Sequence, residues 1–209
     1  MSEQRRERLR LEISRAAARL FWDQGVTATS GEQIAEAVGV SVRTIWRHFR
    51  TKESCAEPLV ARSVAWFTEV LREWPEQSTL EDHLLASVAR RRREAPASAM
   101  ADEVLATRMV ALADTEPALR TAWLMACDQV EHEMATIIAA RTGRPVNDVE
   151  GRLHAAAAAS AVRVMDEHIG AALLAEAGPA EFRELTGVST RLAHMIRTAT
   201  GGAVGDPVA

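Results

Sequence analysis

Residues 41–52 carry a dense group of hydrogen-bond donors. Arg43 and Arg47 stand four positions apart, and Thr44, Trp46 and His48 lie beside them. An arginine can donate two parallel hydrogen bonds to O6 and N7 of guanine, and hydroxyl, indole and imidazole groups can donate to phosphate oxygens. These side chains would suit contact with bases and phosphates. The competing interpretation is that both arginines are solvated surface residues.

Three helices are predicted to position this group. Apolar residues recur every three or four positions from Arg5 to Trp22, which is the spacing of one helix face. Thr29 with Glu32 three residues later predicts a capping box for a second helix that stops at Gly39. Ser41 predicts the N-cap of a third helix that ends at Phe49. Helix, short turn with glycine, helix is typical of a helix-turn-helix.

The third helix is expected to bury one face and expose the other. Val40, Ile45 and Phe49 fall on one side and are predicted to be buried. Thr29 and Lys52 stand beside helix N-termini, whose free amides attract phosphate. The residues predicted to contact DNA are Thr29, Ser41, Val42, Arg43, Thr44, Trp46, Arg47, His48 and Lys52.

Residues 10–53 resemble the DNA-binding domain of the TetR family of bacterial transcriptional regulators. The matching residues are Ile13, Ala16, Ala17, Leu20, Phe21, Gly25, Thr29, Ile34, Ala35, Val38-Gly39-Val40-Ser41, Thr44, His48-Phe49 and Lys52-Glu53. Trp46 stands where the family usually has a tyrosine. The resemblance implies an all-α protein with an N-terminal three-helix DNA-binding domain (1–53) and a C-terminal helical regulatory domain (54–200). It also implies a double-stranded DNA partner, a homodimer and a small-molecule effector.

Composition and charge agree with this reading. The chain has 209 residues, 47% of them hydrophobic and 4% aromatic, which favours helices over sheets. Its net charge of −4 excludes a uniformly basic nucleic-acid coat. Residues 1–53 hold 10 basic and 7 acidic residues, a net +3, whereas the remainder holds 15 and 22, a net −7. DNA is therefore attracted to one end, and binding should weaken steeply as salt rises.

The rest of the chain is predicted to form further helices. A fourth helix capped at Thr51 contains Pro58, which predicts a kink or a delayed start. Ser78 with Glu81, or Thr79 with Asp82, opens a fifth, and Asn147 caps a long helix that reaches residue 177. A last helix follows Pro179, and the glycine-rich tail 201–209 is predicted to be disordered.

The last two helices are predicted to form the dimer interface. The helix from Asn147 is apolar on two sides and therefore needs two partners, and the alanine run 154–161 permits close helix approach. Together the two helices suit a four-helix interface about a two-fold axis. The predicted interface residues are Ala157, Ala161, Met165, Ile169, Leu185, Leu192 and Ile196.

A largely apolar effector pocket is expected on the central helices. Methionine and tryptophan at helical spacing are also ordinary core residues, so this prediction competes with plain packing. The candidate lining residues are Trp66, Met100, Met109, Trp123, Met125, Cys127 and Met134.

Other functions and partners are not expected. Residues 132–136 begin like a zinc-protease helix but have Thr136 in place of the second histidine, and no phosphate loop or nucleophile elbow appears. Cys55 and Cys127 lack the spacing of a zinc site and are expected to be reduced and buried. Neither a signal peptide nor a membrane span is recognisable, so a cytoplasmic protein without metal or cofactor is predicted.

The leading hypothesis is therefore a dimeric repressor released from a palindromic operator by a small, largely apolar ligand. The alternatives are an enzyme, and a DNA-binding regulator that answers to no small molecule or that activates transcription. The sequence does not separate the last of these from the first.

Overall fold

The computed structural model describes residues 3–174 and 185–208, and its regular structure within these ranges is helical. One 3-10 turn (Glu53–Ala56) interrupts the α-helices. The α-helices are α1 (Glu3–Gln24), α2 (Gly31–Val38), α3 (Val42–His48), α4 (Glu57–Arg72), α5 (Leu80–Glu94), α6 (Ala97–Leu112), α7 (Pro117–Thr142), α8 (Val149–Leu174) and α9 (Leu185–Ala199). The all-α prediction is confirmed.

The chain divides into two compact units, and the division differs from the predicted boundary at residue 53. Unit 1 comprises Met1–Ser63 and Ala97–Ala126, and unit 2 comprises Val64–Pro96 and Cys127–Ala209. Unit 1 is larger than the predicted DNA-binding domain because α6 packs against α1.

Unit 1 has an apolar core that holds the first three helices together. Ile13, Phe21, Ile34 and Ile45 are fully buried. Ser14, also buried, accepts a hydrogen bond from the backbone N–H of Leu59 through its Oγ (3.2 Å). The start of α4 is thereby attached to α1.

Two contacts of charged groups join α1 to α6 within unit 1. Arg15 donates to both carboxylate oxygens of Asp102, with Nε–Oδ1 at 2.6 Å and Nη2–Oδ2 at 2.8 Å. Asp102 is 7% exposed at its side chain, and its carboxylate raises the pKa of Arg15. Further along the same pair of helices, the Arg108 guanidinium lies 4.8 Å from the centre of the Trp22 ring.

The helix ends of unit 1 follow local sequence signals with one correction. Gly39 ends α2 in the left-handed region (φ 71°), and its N–H bonds to the carbonyls of Ala35 and Glu36. The N-cap of α2 is Ser30, which forms a capping box with Gln33; the predicted Thr29–Glu32 box is wrong by one residue. Both pairs have the same three-residue spacing, so the sequence pattern alone could not separate them.

The start of α4 is delayed, which was one of the two outcomes predicted for Pro58. Thr51 and Ser54 exchange hydrogen bonds across the 3-10 turn, and Pro58 lies in the first turn of α4. A proline is tolerated there because the first N–H groups of a helix have no intrahelical partner.

Unit 2 packs α9 against both α5 and α8. Thr79 caps α5 by accepting from the N–H of Asp82 (3.0 Å), as one of the two alternatives predicted. The cap of α8 is Asp148 and not Asn147, because the Asp148 carboxylate accepts from the N–H of Gly151 (2.9 Å). The predicted helix end at residue 177 and the start at Pro179 lie outside the described residues.

The C-terminal tail is ordered against unit 2, so the prediction of disorder is wrong for residues 201–208. The carbonyl of Gly205 accepts from the N–H of Leu80 (2.8 Å), and Val208 donates to Glu76 (2.8 Å). Val204 is 5% exposed. Arg141 donates to the carbonyl of Asp206 and stacks on Trp74 at 3.5 Å. The composition of the tail predicted disorder, and the contacts that order it could not be foreseen because the partner residues are distant in sequence. Ala209 lies outside the described residues.

Candidate nucleic-acid interface

Helix α3 is fixed at its first residue and along one face. Ser41 caps it by accepting from the N–H of Thr44 (3.2 Å), and the prediction of this cap is confirmed. Ile45 is fully buried and Phe49 is 5% exposed, as predicted, whereas Val40 is half-buried. The face opposite Ile45 is thus held toward solvent.

Arg43 and Arg47 occupy this outward face. Both side chains are exposed, and being four residues apart they lie on the same side of the helix. In the described parts of the chain, no carboxylate lies within 4.0 Å of either guanidinium. Val42 and Thr44 are half-buried beside them, and the Thr44 hydroxyl bonds to the Ser41 hydroxyl (2.9 Å). The two arginines are therefore free to donate to another molecule.

Trp46 is held by its neighbour on α2. Its side chain is 45% exposed, but its ring lies directly on Gly31, the first residue of that helix. A Cβ built on Gly31 would lie 2.8 Å from Cη2 of Trp46 and closer still to Cζ2. The indole thus occupies the space that any other residue at position 31 would need, and it sets how closely α2 and α3 approach.

Thr29 does not face solvent, which removes it from the predicted contacts. It is 2% exposed, and its hydroxyl donates to the carbonyl of Gly25 (2.8 Å) while accepting from Nε2 of Gln24 (3.2 Å). A buried hydroxyl with both roles filled has nothing to offer a phosphate. Its part is to close the turn between α1 and α2.

Lys52 is likewise engaged inside the protein. Its Nζ donates to the carbonyls of Val26 (2.7 Å), Thr27 (3.3 Å) and Thr29 (2.8 Å). An ammonium group has three hydrogens, and three carbonyls accept them. The only lysine of the chain ties the segment after α3 to the turn before α2, so the predicted phosphate contact is replaced by a positioning role.

His48 ends α3 in a crowded, positively charged setting. Both ring nitrogens are buried and have no hydrogen-bond partner. Burial, followed by the charges of Arg47, Arg6 and Arg10, lowers the pKa of the imidazole. The ring therefore stays neutral at pH 7, and Arg6 and Arg10 of α1 are brought to the end of α3.

Comparison with known proteins supports the helix-turn-helix reading. A sequence model of the family described as "Bacterial regulatory proteins, tetR family" matches residues 13–59. The HTH-type transcriptional regulator TcmR of Streptomyces glaucescens is 32% identical over 151 residues. The chain belongs to the TetR family of bacterial regulatory proteins. The alignment covers 71% of this chain and 66% of TcmR, just under two thirds of that relative.

Two solved structures share the fold of the chain. Salmonella enterica GusR has a TM-score of 0.57 at 22% identity, covering 92% of this chain and 95% of GusR. The Thermus thermophilus FadR repressor, solved in complex with lauroyl-CoA, has a TM-score of 0.58 at 19% identity and covers 92% of this chain and 94% of its own. The part of the chain that the family model matches, residues 13–59, contains the helix-turn-helix formed by α2 and α3.

The predicted effector residues are divided between the two compact units. Met100, Met109, Trp123 and Met125 belong to unit 1, whereas Trp66, Cys127 and Met134 belong to unit 2. Met109, Trp123 and Met134 are buried. Met125 is 68% exposed and does not line an enclosed pocket. Cys127, expected to be buried, is half-buried. The Trp66 ring is covered by Arg91 at 4.3 Å.

A separate cleft of about 250 Å³ lies within unit 2. Trp74, Ile138 and Arg141 line it together with residues 202–208. None of the predicted effector residues contributes to it. The cleft exists because the tail folds back over α7, which the sequence did not predict.

The predicted TetR-type dimer residues are mostly core residues of one protomer. Four of them are buried within unit 2, namely Ala161, Met165, Leu192 and Ile196. Ala157 and Ile169 are half-buried, and the side chain of Leu185 lies outside the described residues. The outward apolar row of α8 is instead Val149, Leu153 and Val164, which are 83%, 67% and 47% exposed. Apolar periodicity could not tell which row of α8 the fold buries.

Three residues that lie against α3 were not predicted from the sequence. Gly31 was not singled out, although a glycine beside a helix N-cap signals close approach of another group. Arg6 and Arg10 were counted only as net charge. Their four-residue spacing on α1 was the available signal.

Among the described helices, none is both long and apolar enough to cross a membrane.

Proposed function

We propose that the chain is a homodimeric, sequence-specific repressor that binds a palindromic operator and is released by a small, largely apolar ligand. The observation that carries this proposal is the outward face of α3. It presents Arg43 and Arg47 without ion-pair partners on a helix fixed by Ser41, Ile45 and Phe49. An exposed helix of this kind fits the major groove, where each bidentate arginine is worth about 1–3 kcal/mol of base discrimination.

The roles of the interface residues follow from their exposure. Arg43 and Arg47 read base edges, with the half-buried Val42 and Thr44 beside them. Ser41 and Trp46 orient the helix, and the exposed half of the indole contacts the backbone of the same groove. Lys52 and Thr29 hold the turn before α2 and touch no DNA.

The operator preference is tested by selection from a random duplex pool with the purified full-length chain. We expect enrichment of an inverted repeat whose half-sites are centred about one helical turn apart, roughly 34–36 Å. Enrichment of a single, non-repeated site would contradict the palindrome, and no enrichment at all would contradict sequence-specific binding.

The dimer is proposed to form through the exposed apolar row of α8. Val149, Leu153 and Val164 recur on one side of the helix, and an isologous interface requires only that this surface meet its own copy. Leu153→Glu should convert the dimer to a monomer in sedimentation equilibrium and leave the circular dichroism spectrum unchanged. Arg152→Glu, on an exposed neighbouring residue, serves as the charge control. A dimer that survives Leu153→Glu would contradict this face.

The ligand class is proposed from two facts. Buried methionine and tryptophan side chains occur in both units, as Met109, Trp123 and Met134. The Thermus FadR repressor, similar in fold, was solved with lauroyl-CoA, an amphipathic molecule. An effector should raise the melting temperature and lower operator affinity, because a ligand stabilises the state it binds.

The rival proposal is a regulator that answers to no small molecule or that activates transcription. A panel of fatty acyl, aromatic and polycyclic compounds screened by thermal shift distinguishes the two. A compound that stabilises the protein and releases the operator supports the repressor, whereas stabilisation without release contradicts it. An enzyme is not proposed, because the family model and the relative that the chain matches are both described as regulators.

A further inference from the structure

The first turns of α1 meet the end of α3 in a corner of unit 1. The Arg10 guanidinium carbon lies 5.4 Å from the centre of the Phe49 ring, and Phe49 follows the last residue of α3. Arg6 stands one turn before Arg10 on the same side of α1. Arg6, Arg10 and His48 are called the basic corner below, and Arg47 lies beside it.

The charges of the basic corner are not compensated within the described residues. No carboxylate there lies within 4.0 Å of the guanidinium of Arg6, Arg10 or Arg47. The arginine that follows on α1, Arg15, is by contrast paired with Asp102. A cation in the first turns of α1 is also unfavourable to that helix, because the N-terminal end of the helix dipole is positive. Helix stability does not explain why Arg6 is there.

The basic corner also holds buried polar atoms without partners. They are Nε of Arg10 and both ring nitrogens of His48. Buried polar atoms are satisfied in most proteins, so unsatisfied ones need an explanation. The Arg10 Nε–H can donate a hydrogen bond, and the neutral imidazole of His48 can donate from one of its two ring nitrogens. An anionic oxygen that reached the guanidinium groups of Arg6 and Arg10 would compensate their charge.

We propose that the basic corner binds a phosphate of the DNA backbone, adjacent to the groove entered by α3. The proposal rests on the proposed function and adds contacts from α1, outside the helix-turn-helix. Guanidinium groups bind phosphate through charge-assisted, often bidentate hydrogen bonds. Such contacts orient a protein on the duplex and carry no sequence information. Arg6 and Arg10 are therefore affinity residues, whereas Arg43 and Arg47 determine specificity.

The test is the salt dependence of DNA binding by the full-length chain. Affinity for the selected operator and for a scrambled duplex is measured by fluorescence anisotropy between 50 and 200 mM salt. Each phosphate contact contributes about 0.9 to the slope of log affinity against log salt. Arg6→Ala with Arg10→Ala should lower the slope by about 1–2 on both duplexes and leave their affinity ratio unchanged.

Two further variants keep the result interpretable. Arg8→Ala with Arg19→Ala removes the same charge from exposed positions of α1 outside the basic corner, and it should change the slope by less than half as much. Arg6→Lys with Arg10→Lys should restore most of the slope. Melting curves of all three variants identify any that fail to fold.

Equal slopes for the two alanine variants would overturn the proposal, since general charge would then explain the effect. A chain that binds the scrambled duplex but selects no operator would contradict the proposed function and leave the slope comparison intact.

Discussion

At the scale of single residues, the interface depends on side chains that never touch DNA. Lys52 donates to three carbonyls of the turn before α2, and the Trp46 ring rests on Gly31. Both interactions join segments that carry α2 and α3. Arg43 and Arg47 can recognise particular bases only if α3, which carries them, is held in a single orientation.

Lys52→Met tests whether this lysine positions the turn or binds phosphate. The variant leaves three carbonyls without their shared donor, so we expect a loss of about 1–3 kcal/mol in unfolding free energy. Operator affinity should fall while the salt slope stays constant. A slope lowered by about 0.9, with stability unchanged, would indicate a phosphate contact instead.

Gly31→Ala tests the contact with Trp46. A methyl group at position 31 overlaps the indole, and overpacking of this kind costs about 1–3 kcal/mol. The double variant Gly31→Ala, Trp46→Phe should recover part of that loss in urea denaturation. Gly187→Ala is the control, because a Cβ there meets nothing within 4 Å and should stabilise α9 by up to about 1 kcal/mol. Equal effects of the two single variants would contradict the close contact.

Among the helices, local sequence signals predicted α1 to α3, although the N-cap of α2 was misplaced by one residue. Gly39 marks the end of α2 and Ser41 the start of α3, through hydrogen bonds to residues three or four positions away. The apolar periodicity indicates which face of each helix is buried. The Arg15–Asp102 pair spans 87 positions, so no spacing rule could have found it. The same holds for the carbonyl partners of Lys52. For α8, periodicity found two apolar rows but not which of them the fold buries.

Asp102→Ala tests the attachment of α6 to α1. The carboxylate is nearly buried and accepts two hydrogen bonds, so its removal leaves Arg15 unpaired. Allowing for the partly exposed guanidinium, we expect a loss of about 1–3 kcal/mol. Asp128→Ala, at an exposed carboxylate of α7, should cost less than about 0.5 kcal/mol. Similar losses of unfolding free energy in both variants would mean that the Arg15–Asp102 pair does not stabilise the attachment of α6 to α1.

Asp166 on α8 gives the protein a stability that depends on pH. Burial, with the charge of Glu167, raises the pKa of Asp166 from 3.8 to about 7. The folded state therefore binds this proton more tightly than the unfolded state, and stability falls as pH rises from about 4 to about 7.

Asp166→Asn removes that titration. Its stability relative to the parent chain should increase steadily between pH 4.5 and 7 and then level off, as measured by urea denaturation. Asp114→Asn, at an exposed position after α6, should show no such trend. A pH-independent difference for Asp166→Asn would contradict the raised pKa.

In the molecule as a whole, the positive charge lies in the same part of the chain as the DNA-binding helices. The net −4 combines a positive first 53 residues with an acidic remainder. The structure adds that unit 1 also contains Ala97–Ala126, so the DNA-binding helices and α6 belong to one compact unit. The family, the fold and α3 could be predicted from sequence because they are encoded locally. The dimer face, the ordered tail and the role of Lys52 could not, because they depend on distant partners.

A ratio of affinities decides whether Arg43 and Arg47 read DNA sequence. The selected operator and a scrambled duplex are titrated at one salt concentration with the parent chain, with Arg43→Ala, Arg47→Ala and with the Arg8→Ala, Arg19→Ala control. We predict that the operator-to-scrambled affinity ratio falls at least tenfold for Arg43→Ala, Arg47→Ala and is unchanged for the control, since each bidentate arginine is worth about 1–3 kcal/mol. An unchanged ratio for Arg43→Ala, Arg47→Ala would contradict it.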